Sequence, residues 1–454
     1  MTAPALSQAL ARFIERTRYE DLPQEVVSFT KLCVLDWLGS ALAGADQPPI
    51  RMIRELAEEM GGAEQAALVT GGRTSALHAA LVNGAASHVV ELDDIHKASI
   101  IHAATVVIPA ALAAAEWRGR SGRDLIAAIA IGYDVCFRIG EAVSPSHYRY
   151  WHNTATCGTF GAAAAAGKLL GLAEESLVHA LGNAGTQAAG LWEFIEDGAM
   201  SKQLHTGKAA MNGLLAALLA EKGFTGPTRI LEGGRGFFHA MSEEFDASRV
   251  TERLGETFKI RENSFKIHAS CRHTHPAIDL ALSLRADPAN PLRPEQVRKI
   301  RVGGYRSVVA ITDDPSPASV YAAKFSLQFC VALALVKGRA GLAEFTEQTL
   351  HDPAIRTLME RIEVKLDPEV DAAYPECWGT RMEVTLAGGD TLTVRTDYPK
   401  GDPENPVAAE ELIGKFRLMT DHLPVGRRER HIEMVLQLEE AADLAQFWPE
   451  GSRI

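Results

Sequence analysis

The densest run of chemically useful side chains is Glu91 to Glu116, which reads ELDDIHKASIIHAATVVIPAALAAAE. Glu91, Asp93, Asp94, His96, Lys97 and His102 crowd its first half, and a long aliphatic segment follows. Carboxylates are costly to bury without a partner, so acids wedged between the small-residue run NGAASHVV and that segment are poorly explained as ordinary surface charge. A solvated loop with a helix-capping acid is the plain alternative. Acids and imidazoles side by side suit proton transfer, and lysines suit the stabilisation of negative charge that develops on a substrate.

Two later stretches share this layout. In YRYWHNTATCGTFGAAAAAGKLLGL, from Tyr148 to Leu172, His152 stands where an aromatic, polar loop meets an alanine-rich helix. Thr154 and Thr156 are candidate N-caps there, and the unbonded N–H groups of a helix start can receive a carboxylate. Gly161 to Lys168 superficially resembles a phosphate-binding loop, but five residues separate its glycines and Leu169 replaces the Ser or Thr, which excludes a nucleotide site. In GAMSKQLHTGKAAMNGLLAALLA, from Gly198 to Ala220, Lys202 and His205 stand before a helix that Thr206 can cap. Taken singly, an exposed lysine and a structural histidine are the bland readings. Taken together, three segments set His, Lys or Asp at the ends of small-residue helices, and those ends are expected to converge on one cavity.

The elements that must position these groups follow from periodicity. The first 260 or so residues are rich in Ala and Leu and nearly free of alternating β-branched segments, which predicts helices packed on helices. Val26 to Ala43 spaces its apolar residues by three and four with Gly44 as the expected C-cap, and Ser75 to Val89 repeats the pattern with small residues. Leu125 to Val143 is apolar nearly all round, as a central helix is, and the glycines of Gly223 to Phe237 mark a long connection. Beyond Phe265 the composition changes. KIHASCRHTHPAID, Lys266 to Asp279, gathers His268, His273 and His275 with Cys271 and Arg272. Strand-like pieces then appear at Val297 to Val302, Ile362 to Leu366 and in a hairpin, Arg381 to Thr396, turned at Gly388, Gly389 and Asp390. From Lys400 the pattern is helical again. The expectation is a mainly α protein: a large all-helical domain of residues 1–265 together with 400–454, and a smaller α+β domain of residues 266–399.

A metal site is the competing chemistry, with His268, His273 and His275 as nitrogen ligands and Asp93 and Asp94 as oxygen donors of a hydrolase. The spacings match no helical pair of histidines, and Lys266 and Arg272 would oppose a cation. Composition narrows the partners. Lys and Arg total 46 against 58 Asp and Glu across 454 residues, and the net charge of −12 gives no support to nucleic-acid or anionic-membrane binding. The six cysteines are scattered, as in a reducing compartment. The N-terminus lacks the layout of a signal peptide, and Ala103 to Ala115 falls short of the roughly 18 apolar residues of a span. A soluble, cytoplasmic protein with a small-molecule substrate is expected.

ELDD with a histidine after it, WHNTATCGTFGAAAAAGKLLGL, SKQLHTGKAAMNGLLAALLAEKGFTGP, KIHASCRHTHPAID and KGDPENP, in that order over nearly the whole chain, resemble the MmgE/PrpD family. That family includes 2-methylcitrate dehydratases, cis-aconitate decarboxylases and iminodisuccinate epimerases. The resemblance implies a cofactor-independent lyase acting on a small di- or tricarboxylate, with water elimination of the 2-methylcitrate dehydratase kind placed ahead of decarboxylation or epimerisation. It also implies an inserted α+β lid, a homodimer and a metal-free site. Outside that reading stand the metal-dependent hydrolase and a catalytically silent helical scaffold.

Carried over by motif, the resemblance puts the family's acidic position on Glu91 and Asp93 and its next histidine on His102. It puts the histidine of the aromatic loop on His152, the lysine of the Ser-Lys-x-Leu-His segment on Lys202, and the lid's opening lysine and later histidine on Lys266 and His275. The implied catalytic set is Asp93, His152, Lys202 and Lys266, and the implied substrate-binding set is His102, His275 and Glu91. Ala103, Asn153 and Thr206 depart from the family by standing where proline is frequent. Ile95 stands where the decarboxylases carry threonine, and Cys271 where they carry histidine.

Overall fold

The computed structural model describes residues 5–446, which are mainly helical with only small sheets. Packing divides the chain into two units: one runs up to Asn263 and resumes at Ala408, and the other is Ser264–Val407.

The first unit is helices on helices. At its centre lies Asn153–Leu170, in which every residue except Lys168 is buried, and around it pack Ala104–Arg118, Gly122–Val143 and Ser201–Glu221. A helix of Ala, Gly and Thr on all sides has no polar face to give to water, so only a wholly interior position suits it. Small residues also set how closely these helices approach. A Cβ added to Gly84, on Ala76–His88, would lie 3.0 Å from the Cα of Gly207 and 3.0 Å from the carbonyl of Thr105. One added to Gly132 would lie 2.8 Å from the carbonyl of Gly161. Backbones meet here at distances that no larger residue permits.

Gln24–Gly44 is long and apolar enough by composition to cross a membrane, yet it is mostly buried inside this unit against Ala76–His88 and the late helix Ala409–Met419. It also carries the buried Asp36, which is ion-paired to Lys415 of that late helix. Gly44 is not the C-cap expected for it. The helix includes Gly44 and ends at Ala45, because Gly44 abuts the carbonyl of Ala86, 2.1 Å from where a Cβ would stand. The glycine serves an approach and not a reversal of the chain.

The second unit holds a four-stranded sheet in the order Ile362–Leu366, Val297–Gly304, Thr380–Leu386, Thr391–Thr396. The first pair is parallel, with Ile300 opposite Ile362 and Val302 opposite Val364, and the other pairs are antiparallel. Gly389, with φ of 98°, makes the reversal between the last two strands. His275–Ala286 packs on the last two strands, and Leu327–Lys337 packs on that helix, on Pro353–Met359 and on Ile362–Leu366.

Candidate active site

In the helical unit, the loop between Ala76–His88 and Ala104–Arg118 carries the acids, and the starts of two more helices meet it. Glu91 (φ 57°) and Ile100 (φ 55°) both adopt the left-handed backbone region, which is strained for a residue with a side chain and persists only when the surroundings enforce it. The enforcing contacts are specific. Asp94 accepts hydrogen bonds from the backbone N–H of Ala104 (3.1 Å), the Tyr133 hydroxyl (2.7 Å) and Asn263 Nδ2 (2.7 Å). Asn153 donates to the carbonyl of Ser99 (2.7 Å), and Thr154 Oγ1 accepts the backbone N–H of His102 (3.1 Å). Lys415 Nζ donates to the carbonyl of Leu92 at 2.7 Å and to Asp36 at 2.6 Å.

These bonds correct the expected caps. Asn153–Leu170 is capped at the position of His152, and Thr154 instead ties the helix start to His102. Ser201–Glu221 begins before Lys202, so Lys202 and His205 lie within its first turns, and Thr206 bonds inward to the carbonyls of Gly84 and Gln203. Gly161 to Lys168 is continuous helix.

Asp93 is fully buried, and one oxygen, Oδ2, lies 2.8 Å from His88 Nδ1 and 3.0 Å from His102 Nδ1. His102 Nδ1 is also 2.6 Å from the carbonyl of Asp94. Every one of these neighbours is an acceptor when Asp93 is ionised, so both imidazoles carry their proton on Nδ1 and keep the lone pair on Nε2. The rings of His88 and His102 are 4.9 Å apart, and that of His88 stacks 5.9 Å from His152 at 23°.

His152 is 1% exposed, faces Trp192 with centroids 5.0 Å apart, and shares a hydrogen between its Nδ1 and His205 Nδ1 at 3.3 Å. Its Nε2 is buried with no hydrogen-bond partner among the described residues. Burial, reinforced by His205, His88, Lys202 and His102, holds His152 well below the usual imidazole range and therefore neutral at pH 7. His205 is lowered to about 4, first by burial and then by Lys208, His88 and Lys202. Gly190 makes room for this pair: its φ is 157°, and a Cβ there would stand 2.5 Å from that of Ala155 and 3.2 Å from His205 Nδ1. The cation is Lys202, 3% exposed, with Nζ 2.5 Å from Glu91 Oε1.

The structure thus brings together Glu91, Asp93, His102, His152, Lys202 and His205, and adds His88, which sequence reasoning did not select. A histidine closing a small-residue helix directly before the acidic loop was the available signal for His88. Lys266 and His275 belong to the second unit, where Lys266 is 1% exposed. His275 accepts from Arg272 at Nδ1 (3.0 Å) and donates from Nε2 to the carbonyl of Ser270 (3.3 Å), so both its nitrogens are engaged within that unit. Arg272 pairs in turn with Asp402.

The competing histidine metal cluster is not assembled among the described residues. His268 bonds Asp279, His273 bonds Tyr305 and His275 bonds Arg272, while Asp94 is committed to its three donors. Among the described residues, two other sets bring three ligand-type atoms together: His88, Asp93 and His102, and His96, Glu141 and Glu262. In the first, His88 Nδ1 and His102 Nδ1 lie 2.8 Å and 3.0 Å from Asp93 Oδ2, contacts that hydrogen bonds account for. In the second, Lys259 Nζ sits 3.0 Å from Glu141 and 3.2 Å from Glu262, in the place a cation would take.

Residues 8–250 match the MmgE/PrpD N-terminal domain, and residues 268–440 match the MmgE/PrpD C-terminal domain. A cis-aconitate decarboxylase-like protein of Aspergillus oryzae is 28% identical, with 96% of this chain and 95% of the relative covered. The cis-aconitate decarboxylase of Homo sapiens is 28% identical over 98% of this chain and 94% of its own. The 2-methylcitrate dehydratase of Escherichia coli is 23% identical over 59% of this chain and 58% of its own.

Proposed function

The chain belongs to the MmgE/PrpD family and is an enzyme whose relatives are lyases, and on that premise we propose that it moves a proton beside a carboxylate of a tri- or dicarboxylate without a cofactor. The observation that carries the reading is one carboxylate oxygen, on Asp93, bracketed by two imidazoles that keep Nε2 as acceptor, with a neutral His152 and the ammonium of Lys202 in the same buried cluster.

Removal of a proton next to a carboxylate leaves carbanion or enolate character that spreads onto the carboxylate oxygens, so a base and a cation are needed together. His152 Nε2 takes the proton. The resulting imidazolium, disfavoured by burial, is a strong acid and readily gives the proton back, to a leaving hydroxyl or to carbon. Asp93 holds His102 in its tautomer and supports positive charge on that ring, as a carboxylate behind an imidazole does. Lys202, kept in place by Glu91 while the site is empty of substrate, takes a substrate carboxylate and binds the intermediate more tightly than the substrate. Lys266 is proposed as a second carboxylate ligand on the family match alone.

Loss of water, as in the 2-methylcitrate dehydratases, is the first reading of the step. Loss of carbon dioxide is the second, favoured by the decarboxylase relatives aligning along 92–98% of this chain where the dehydratases align along 59–70%. The test is NMR of the purified protein with cis-aconitate, 2-methylcitrate and a panel of four- to seven-carbon polycarboxylates. Turnover with loss of water or of carbon dioxide selects the step, and no change in any of them counts against the proposal. A chelator should leave the rate unchanged; activity lost to it and restored by a divalent cation would move charge stabilisation from Lys202 to a metal.

A further inference from the structure

We propose that His88 is a positioning residue of this site: its Nδ1–H fixes the Asp93 carboxylate so that the same oxygen can hold His102. The inference rests on the lyase reading for its effect on rate, but the contact itself does not. Asp93 sits on a loop with two left-handed residues, and a loop carboxylate is free to rotate unless something rigid holds it. His88 is the last residue of Ala76–His88, a helix locked against its neighbour where Gly84 meets Gly207. Its ring has no exposure and lies between those of His102 and His152. The helix end thus reaches the buried acid through a hydrogen bond of 2.8 Å.

Two N–H groups meeting on one oxygen require that oxygen to be an acceptor, so the His88 contact aims Asp93 Oδ2 at His102. With His88 removed, Asp93 loses its 2.8 Å donor and turns from His102, whose Nδ1 keeps the Asp94 carbonyl at 2.6 Å but loses the carboxylate that supports positive charge on the ring. His88 therefore acts through Asp93 and His102, and substrate binding by Lys202 does not involve it.

Two amides separate this role from direct contact with substrate. His88→Asn places an N–H close to the former Nδ1 and has nothing at Nε2, whereas His88→Gln reaches toward Nε2 and has only a methylene at Nδ1. In His88→Asn, kcat should stay within about tenfold of wild type, and in His88→Gln it should fall about 100-fold, the scale of a misplaced catalytic group, with KM changed less than about threefold. In [15N]histidine NMR spectra, the Nδ1-bound proton of His102 should keep its resonance in wild type and His88→Asn and be shifted in His88→Gln as the Asp93 carboxylate leaves it. Wild-type kcat with an unmoved His102 resonance in His88→Gln would overturn the inference. So would a His88→Asn enzyme as slow as His88→Gln, since Nε2 would then be doing the chemistry. If the wild-type protein turns over no polycarboxylate, the lyase reading falls, and the NMR comparison still decides whether His88 holds Asp93. Should His88→Gln fail to fold, His88→Leu, which also lacks the donor, is read by the same criteria.

Discussion

Replacing Lys415 by Met removes the ammonium that joins the late helix Ala409–Met419 to the acidic loop. Lys415 and Asp36 are 8% and 2% exposed, and Nζ makes two short bonds, 2.6 Å to Asp36 and 2.7 Å to the carbonyl of Leu92. Cutting one partner from a buried pair costs about 3–5 kcal/mol. The double variant Lys415→Met with Asp36→Leu removes both charges and takes a donor from the Leu92 carbonyl, a loss of about 1–3 kcal/mol. The double variant should therefore be more stable than the single one, although it has lost more polar contacts. Urea unfolding followed by tryptophan fluorescence reads this directly, since the buried Trp37 neighbours Asp36 on the same helix. A single variant within about 1 kcal/mol of wild type, or a double variant less stable than the single, would refute the reasoning.

Stability should fall as pH drops from about 6.5 toward 4. His147, His205 and His431 are each lowered to about 4 by burial, so over that window the unfolded chain binds protons that the folded one refuses. Asp94, raised to about 7 by burial against its hydrogen bond from Tyr133, works in the opposite sense: its contribution is present below its unfolded value of 3.8 and lost as pH rises through 7. Melting curves of wild type and His147→Gln across this range should show a shallower decline in the variant, and parallel curves would contradict the assignment. Gly207→Ala should lose about 1–3 kcal/mol, because its Cβ would stand 2.3 Å from the carbonyl of Leu81. Gly414→Ala, on Ala409–Met419 with nothing within 4 Å, should instead gain about 0.5–1 kcal/mol by thermal unfolding, and equal effects would undo the packing argument. Lys202→Met should cut kcat/KM by about 10²–10³-fold through binding and turnover together, and a near wild-type value would remove Lys202 from charge stabilisation.

Residue types alone drew attention to the loop of Glu91, Asp93 and His102. Asp93, His102, His152 and Lys202 stood out because acids, imidazoles and ammonium groups beside small-residue helices are expensive to bury without a task, and the structure does bury them together. His88 escaped notice because its bond to Asp93 depends on the left-handed turn at Glu91, and nothing in a glutamate predicts positive φ. Local capping rules misplaced Thr154 and Thr206, whose hydroxyls answer to neighbours 52 and 122 positions away in sequence. Gly44 misled for a similar reason, since close helix approach and helix termination both call for glycine. The strands were easier to read: alternation in Ile362–Leu366 and in the Gly388-Gly389 hairpin is a local signal that tertiary contacts preserved, while in Val297–Gly304 a register shift between Val297 and Lys299 interrupts it.

The central claim is that His152 moves a proton at the carbon beside a substrate carboxylate, and deuterated water tests it. With the substrate found by the polycarboxylate panel, wild-type enzyme in D2O should place deuterium at that carbon in substrate or product, as seen by NMR. His152→Gln should bind the same substrate, since an amide can still hydrogen-bond, and should give neither product nor deuterium because it cannot relay a proton at neutral pH. Wild-type turnover and deuterium incorporation in His152→Gln would contradict the account and shift the proton transfer to the Asp93 and His102 pair.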